Sequence, residues 1–421
     1  MKPGFSALLL LLLCITGAVS LSAEEFDFDV ESFEKDPFEW SGYTEFRYEH
    51  SKLNDAAALY PLNYPTGRGN LNRWVGTLEL AGDYHWDETR LSGRWNGSGQ
   101  DDESTTLMDG SLYELYLIHR FDKSLTVEVG KRALKWGKGY AWNPVAFIER
   151  AKDPSDPDLS REGFTLAQLD WVKSLSGDIK TIAFSAVALP VSNELNTSFG
   201  QKNSINVAAK LYMLIYDIDV DLYYLNNGAR PGRIGADFSM NLASNFELHG
   251  EWAYIPDYPR KVLENNLLVQ RHSNSHAWLI GMRYLTEQDT TWIAEYYYQD
   301  HGYSSAEIRS YYDLLTNSVN PVAVRDMGQQ AGFLRINPMR DYIYLRVSQK
   351  EPFDWLYTSF AATAIYNAQD HSATVIPEFV YTGFDNSELR LRMNYLLGKQ
   401  PSEYGEKLAA YKLEMRMRYF F

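Results

Sequence analysis

The sequence predicts an all-β chain closed into a transmembrane antiparallel β-barrel of eighteen strands, with sixteen as the alternative count. Three observations carry this expectation. Many short segments in series alternate apolar and polar residues, the period of strands whose two faces meet different solvents. Beyond the first 23 residues, no apolar run reaches the roughly 18 residues of a spanning helix. The final segment places Leu413, Met415, Met417, Tyr419 and Phe421 on one face and Lys412, Glu414, Arg416, Arg418 and Phe420 on the other. A barrel crosses a bilayer with such segments because only alternate residues meet lipid and ring closure pairs every backbone group.

Residues 1–23 read as a signal peptide. Lys2 precedes the unbroken leucine run Leu8 to Leu13, and small residues follow at Ala18, Ser20, Ser22 and Ala23. The run is too short to span, and the small residues offer cleavage between Ser20 and Glu24. Cys14 follows Leu13, where a lipoprotein signal wants a small residue, so it belongs to the leader. It is the only cysteine, which leaves the mature chain without disulfides or thiolate ligands. Residues 24–37 are acidic, with Phe26, Phe28 and Phe33 interspersed, and read as a short periplasmic lead-in. The barrel is expected over 38–421.

The alternation can be followed segment by segment. Trp40, Gly42, Thr44, Phe46 and Tyr48 oppose Tyr43, Glu45, Arg47 and Glu49. Trp74, Leu78, Leu80, Tyr84 and Trp86 oppose Arg73, Thr77, Glu79, Asp83 and His85. Leu91, Gly93 and Trp95 oppose Arg90, Ser92, Arg94 and Asn96. Tyr113, Leu115 and Leu117 oppose Glu114, Tyr116 and Arg120, and Leu125, Val127 and Val129 oppose Thr126, Glu128 and Gly130. The pattern recurs over 217–224, 246–252 and 388–397. Asp87-Glu88, Phe121-Asp122 and Thr286 to Asp289 read as periplasmic turns. Residues 51–70, 97–105, 131–162, 191–203, 255–274 and 301–340 read as extracellular loops. Counting 341–350 as a strand and leaving 331–336 in the last of those loops, where Pro338 opposes pairing, gives the even number that two periplasmic termini require.

Composition fits this class. The 30 Tyr and 11 Trp suit aromatic girdles at two interfaces. A net charge of −15 argues against nucleic-acid binding. Lipid, lipopolysaccharide and hydrophilic solutes are the expected partners. Phe421, with Tyr419 and Met417 at alternate positions before it, resembles the signal that bacterial barrel-assembly machinery recognises. That resemblance implies the bacterial outer membrane as the location.

The most distinctive segment runs from Gly130 to Pro144. Lys131, Arg132, Lys135 and Lys138 fall within eight residues of an acidic chain, among Gly137, Gly139, Trp136 and Trp142. One reading is a strand end with interfacial cations; the other is a cationic constriction that draws anions into a pore. Its pattern G-K-R-x-L-x-W-G-x-G followed by N-P resembles one found in uncharacterised bacterial outer-membrane barrels related to alginate-export and specific-channel porins. The resemblance implies one large barrel and names no substrate. A second charged set, Arg90, Arg94, Arg390, Arg392, Arg416 and Arg418, lies on lumen-facing positions. On closure the last strand should set its cations beside Glu45, Arg47 and Glu49 of the first and Glu388, Arg390 and Arg392 of the penultimate. Such ladders either brace the wall or impose a transverse field on solutes.

Acidic runs at Asp101-Asp102-Glu103 and from Asp153 to Asp158 offer hard oxygen ligands, but Pro154 and Pro157 suit a solvated loop better than a compact cage. The run His272-Ser273-Asn274-Ser275-His276 resembles the His, Ser and Asn of outer-membrane phospholipases, yet Ser273 adjoins His272 and Ser275 follows Asn274, so the spacing departs from theirs. Neither an enzyme, a cofactor nor a metal centre is expected. The sequence reads as a passive channel for small hydrophilic solutes, with two alternatives: a conduit for an acidic polymer such as an exopolysaccharide, and a closed barrel acting as adhesin or scaffold.

Overall fold

The computed structural model describes residues 36–102, 105–159 and 161–421. The expected signal peptide, nearly all of the lead-in and Glu103 lie outside these residues. The strands are β1 (Phe38–Leu53), β2 (Asn70–Trp86), β3 (Thr89–Asp101), β4 (Thr106–Arg120), β5 (Leu125–Arg132) and β6 (Phe164–Ser174). They continue as β7 (Ile179–Val191), β8 (Ser204–Ile215), β9 (Ile218–Leu225), β10 (Arg233–Ala243), β11 (Phe246–Glu264) and β12 (Leu267–Leu285). The last six are β13 (Thr290–Gln299), β14 (Asp341–Lys350), β15 (Thr358–Asn367), β16 (Ser372–Phe384), β17 (Ser387–Leu397) and β18 (Ala409–Phe420). Each pairs antiparallel with its sequence neighbours, and β18 returns to β1, so the ring of 18 strands closes.

Closure sets Glu45 opposite Arg418, Arg47 opposite Arg416 and Glu49 opposite Glu414. Glu388, Arg390 and Arg392 lie opposite Arg418, Arg416 and Glu414 on the other side of β18. The face assignment follows the alternation: Leu413, Met415, Met417 and Tyr419 are exposed, while Arg416 is only 4% accessible. In a barrel that exposed apolar face is the one turned to lipid.

The long loops share one end of the barrel, with the short β11–β12 and β15–β16 turns among them, and several expectations change. Residues 97–101 extend β3, and 255–274 belong to the β11–β12 hairpin, which turns at Asn265-Asn266. The loop 301–340 holds two helices, α1 (Ser305–Asn317) and α2 (Pro321–Ala331). Ser304 and Glu307 form a capping box at the start of α1, and Asn320 caps α2, which enters on Pro321. Tyr113 leaves the face predicted for it. A bulge pairs Arg94 with Glu114 and Trp95 with Leu112, so Leu112 becomes the exposed residue and Tyr113 is skipped.

The interior is less uniformly polar than the quoted strands imply. Strands β6 to β15 carry Leu166, Val187, Leu189, Ala208, Leu225, Ile255, Leu279, Tyr342 and Ile365 on their inner face, all buried. Those side chains need a partner inside the barrel, and the loop between β5 and β6 supplies one.

Candidate functional site

Residues 133–159 and 161–163, between β5 and β6, fold into the lumen. The first half is apolar where it must be. Leu134, Trp136, Val145, Phe147 and Ile148 pack with Val187, Leu189, Tyr223 and Ala253 of the wall. Trp142 joins a second cluster with Leu279, Tyr342 and Tyr344, stacks on Tyr297 with centroids 5.2 Å apart, and donates from Nε1 to Asn337 Oδ1 at 3.2 Å.

Two wall carboxylates receive this half of the loop. Glu251 Oε1 accepts from Lys138 N at 2.6 Å, Gly139 N at 2.7 Å and Asn143 Nδ2 at 2.9 Å, and Oε2 accepts from Val145 N at 3.2 Å. Glu295 accepts from Tyr140 N at 2.5 Å and Ala141 N at 2.9 Å, and contacts His249 Nε2 at 3.1 Å. Successive amides turned toward a carboxylate form an anion-holding nest. Gly137 makes the turn possible: its φ is +91°, and a Cβ there would stand 2.6 Å from Glu251 Oε1. The G-x-G-Y-A-W-N-P pattern is thus the loop's docking sequence.

The four cations of the distinctive segment are distributed as follows. Lys131 pairs with Glu162 and Arg132 with Glu128. Lys138 Nζ lies 3.0 Å from Asp221 Oδ2. Burial alone would lower the Lys138 ammonium; Asp221 outweighs it and holds it above the usual range. Lys135 is exposed. Within the loop, Glu149 accepts from Trp136 N and lies 3.5 Å from Arg161. Burial pushes the Glu149 carboxyl up to about 7, against the pull of Trp136 N and Arg161.

The second half of the loop crosses to the far wall. Asp156 Oδ2 stands 3.1 Å from both Arg392 Nη1 of β17 and Arg416 Nη2 of β18, and Arg392 also donates to Ser155 O. Burial alone would raise the Asp156 carboxyl; the two guanidiniums overcome it and hold it below the usual range. The acidic run 153–158, expected as a solvated loop, is therefore an internal strap, because two wall arginines offer it better partners than water. The role of Asp156 and the docking carboxylate Glu295 are what the sequence reading missed.

The predicted lumen arginines lie in charge ladders. Arg418 meets Glu45 at 2.6 Å, Arg416 meets Glu414 at 2.8 Å, Arg392 meets Glu378 at 3.2 Å and Arg390 meets Glu388 at 3.1 Å. Arg94 meets Glu114 at 2.7 Å, and Arg90 stands 3.7 Å from Asp83. Of the residues expected to form an assembly signal, Met417 and Tyr419 are exposed on the outer face, and Phe421 exchanges backbone hydrogen bonds with Gly42 of β1.

Space remains around the strap. A cavity of about 520 Å³ lies between it and the β1, β2, β17 and β18 walls, with Arg47, Arg73, Lys407, Lys412, Glu49 and Glu414 among its lining. A second, of about 470 Å³, shares Asp153, Asp156, Leu159, Ile336 and Asn337 with the first and continues to Trp142 and Lys152. A third, of about 690 Å³, carries Arg150, Lys152, Arg161, Arg230 and Arg233.

The His272 to His276 run lies on β12. His272 contacts Asp257 at 3.1 Å, Ser275 contacts His301 at 3.0 Å, and His276 packs against Trp252 and Tyr254. The run is drawn out along a strand, and its side chains contact separate neighbours instead of one another.

Closed ring, apolar exterior and a charge-lined interior crossed by the loop between β5 and β6 together define a transmembrane antiparallel β-barrel of 18 strands. No family model matches the sequence, and no curated protein matches it in a sequence comparison. Among solved structures, Pseudomonas aeruginosa OccK5 (OpdH) aligns over 91% of this chain and 98% of its own, at 11% identity and a TM-score of 0.53. Acinetobacter baumannii OccAB3 aligns over 91% and 99%, at 9% identity and a TM-score of 0.52. A mutant of the Rh. blastica porin aligns over 91% and 100%, at 9% identity and a TM-score of 0.46. At such identities the first two likenesses establish the barrel fold, and the lumen itself must speak for the chemistry.

Proposed function

We propose that the protein is a bacterial outer-membrane channel for passive passage of small hydrophilic solutes. The observation that carries this reading is a lumen narrowed but not filled: cavities of about 520, 470 and 690 Å³ persist beside the inward loop. Their linings hold many fixed charges, so selection rests on hydration and charge and on no covalent step. The long loops face outward, the short turns face the periplasm, and the terminal aromatic residue serves the assembly machinery. The alternative of an acidic-polymer conduit needs a lumen clear of the 153–159 strap. The barrel's fit to the channel reading is therefore better.

The test is conductance of the purified mature protein in planar bilayers. A stable ohmic conductance is expected, with a reversal potential under a salt gradient that favours anions. Replacing Arg132, Lys135 and Lys138 together with Gln should shift that potential toward cations, most visibly at low ionic strength. The shift should be modest, since Arg132 and Lys138 already face Glu128 and Asp221. Absence of any conductance would rule the channel out in favour of a closed scaffold.

A further inference from the structure

The loop that crosses the lumen is held very unequally at its two walls. Toward β9, β11 and β13 it is fixed by Lys138, by six bonds from backbone or Asn143 donors to Glu251 and Glu295, and by two apolar clusters. Toward β17 and β18 it is held by Asp156, with Ser155 O beside it. Both guanidiniums share one oxygen of that carboxylate, Oδ2. A free carboxylate, unconstrained by a chain, can give one oxygen to each arginine, which is the stronger geometry.

Departure of Asp156 strands no charge. Arg416 keeps Glu414 at 2.8 Å and Glu45 at 3.8 Å, and Arg392 keeps Glu378 at 3.2 Å. The usual penalty for breaking a buried ion pair, an uncompensated charge left behind, is therefore largely absent. Arg392 and Arg416 both open onto the cavity of about 520 Å³, where Arg47, Arg73, Lys407 and Lys412 add positive charge against Glu49, Glu403 and Glu414. The strap 153–159 stands between that cavity and its neighbour of about 470 Å³.

We propose that Arg392 and Arg416 form a carboxylate-binding site that the chain fills with its own Asp156, and that a small solute carboxylate exchanges with Asp156 and frees the strap. Asp156 then acts as a resident ligand and the strap as a latch. Release merges the two cavities and widens the path at the moment a permeant anion is bound. The inference builds on the channel reading, and it also makes a prediction that needs no current flow.

The test follows the reactivity of Ser155→Cys on a Cys14→Ser background in the intact protein, using a cationic thiol reagent. Sodium acetate is compared with sodium chloride at equal ionic strength. Acetate should accelerate labelling several-fold and saturably, chloride should not, and Asp156→Asn should label quickly in both. In bilayers, Asp156→Asn should conduct chloride better than the parent does. Equal labelling in the two salts, or an Asp156→Asn variant no faster than its parent, overturns the proposal whether or not the protein conducts. Acetate-dependent labelling without conductance would keep the latch and remove the channel. The parent's own response to acetate requires no change at Asp156, so a misassembled variant does not decide the outcome.

Discussion

Glu149 lies inside the inward loop, where a carboxylate is worth keeping only if its partners offset lost hydration. Its backbone donor Trp136 N and its neighbour Arg161 fall short of that, and burial raises its carboxyl to about 7 from 4.5. The folded loop therefore favours the protonated form and binds more protons than the unfolded one between those two values. Its local stability should fall as pH rises from about 4.5 to about 7, and level off above. Hydrogen exchange at the Trp136 amide, corrected for its intrinsic rate, should lose protection across that window. Glu149→Gln should flatten the profile. A pH-independent wild-type profile would show that Arg161 and Trp136 N suffice to keep the carboxylate charged. Asp156 shows the opposite balance, with two arginines winning over burial, so it should stay ionised well below the pH at which Glu149 titrates.

On β18 the two faces differ sharply: Met415 is 40% accessible and Arg416 is 4% accessible. Met415→Arg should destabilise the inserted barrel by about 2–4 kcal/mol if the site lies near the midplane, since it sets a charge in lipid. From alternation alone, Arg416→Met looks like the cheap counterpart, since it removes a charge from a wet wall. The structure reverses that. Arg416 touches Glu414, Asp156 and Glu45, and deleting one partner of a buried network costs about 3–5 kcal/mol. The innocuous lumen-side control is Lys412→Met, an exposed position opposite Ser51 and Asn394. Denaturant unfolding from lipid vesicles should rank Lys412→Met well above both of the others, and equal losses at Met415 and Lys412 would contradict the assigned faces. The strands quoted from sequence, such as β1, β9 and β17, were legible because charge marks one face. Strands such as β7, with Ile182, Phe184, Val187 and Leu189, are apolar on both faces, one meeting lipid and one meeting the inward loop. Alternation cannot label such faces. The α1 start was marked in the sequence by Ser304 and Glu307, but loop length alone masked it. Asp156 was hidden for another reason. The arginine surplus on β17 and β18, four against Glu388 and Glu414, asks for an acidic partner, and sequence distance gives no hint that residue 156 meets it.

For the whole molecule, the decisive contact is the seam between β1 and β18, whose pairing joins residues 43 and 420. Gly42 and Phe421 exchange two backbone hydrogen bonds there, at 2.9 and 3.1 Å. The Phe421 ring lies over Gly42, where a Cβ would stand 2.7 Å from it, and 5.5 Å from the ring of Trp40. Deleting Phe421 or placing a charge there should reduce the heat-modifiable, assembled fraction in cells; unchanged assembly at several expression levels would remove its role as a signal. The same deletion also opens a packed seam, so loss of assembly alone does not separate recognition from stability. The geometry of the ring itself resolves this. Because β1 and β18 are antiparallel neighbours whose ends meet, the barrel has no intrinsic first strand, and its linear order is an accident of where the chain is cut. A circular permutant that joins Phe421 to Phe38 by a short turn and opens between Ser244 and Asn245, at the same end of the barrel as the present termini, would keep every strand pair and the Phe421 ring, yet would end on a polar residue. Such a protein should refold in detergent like its parent and still be poorly inserted by living cells.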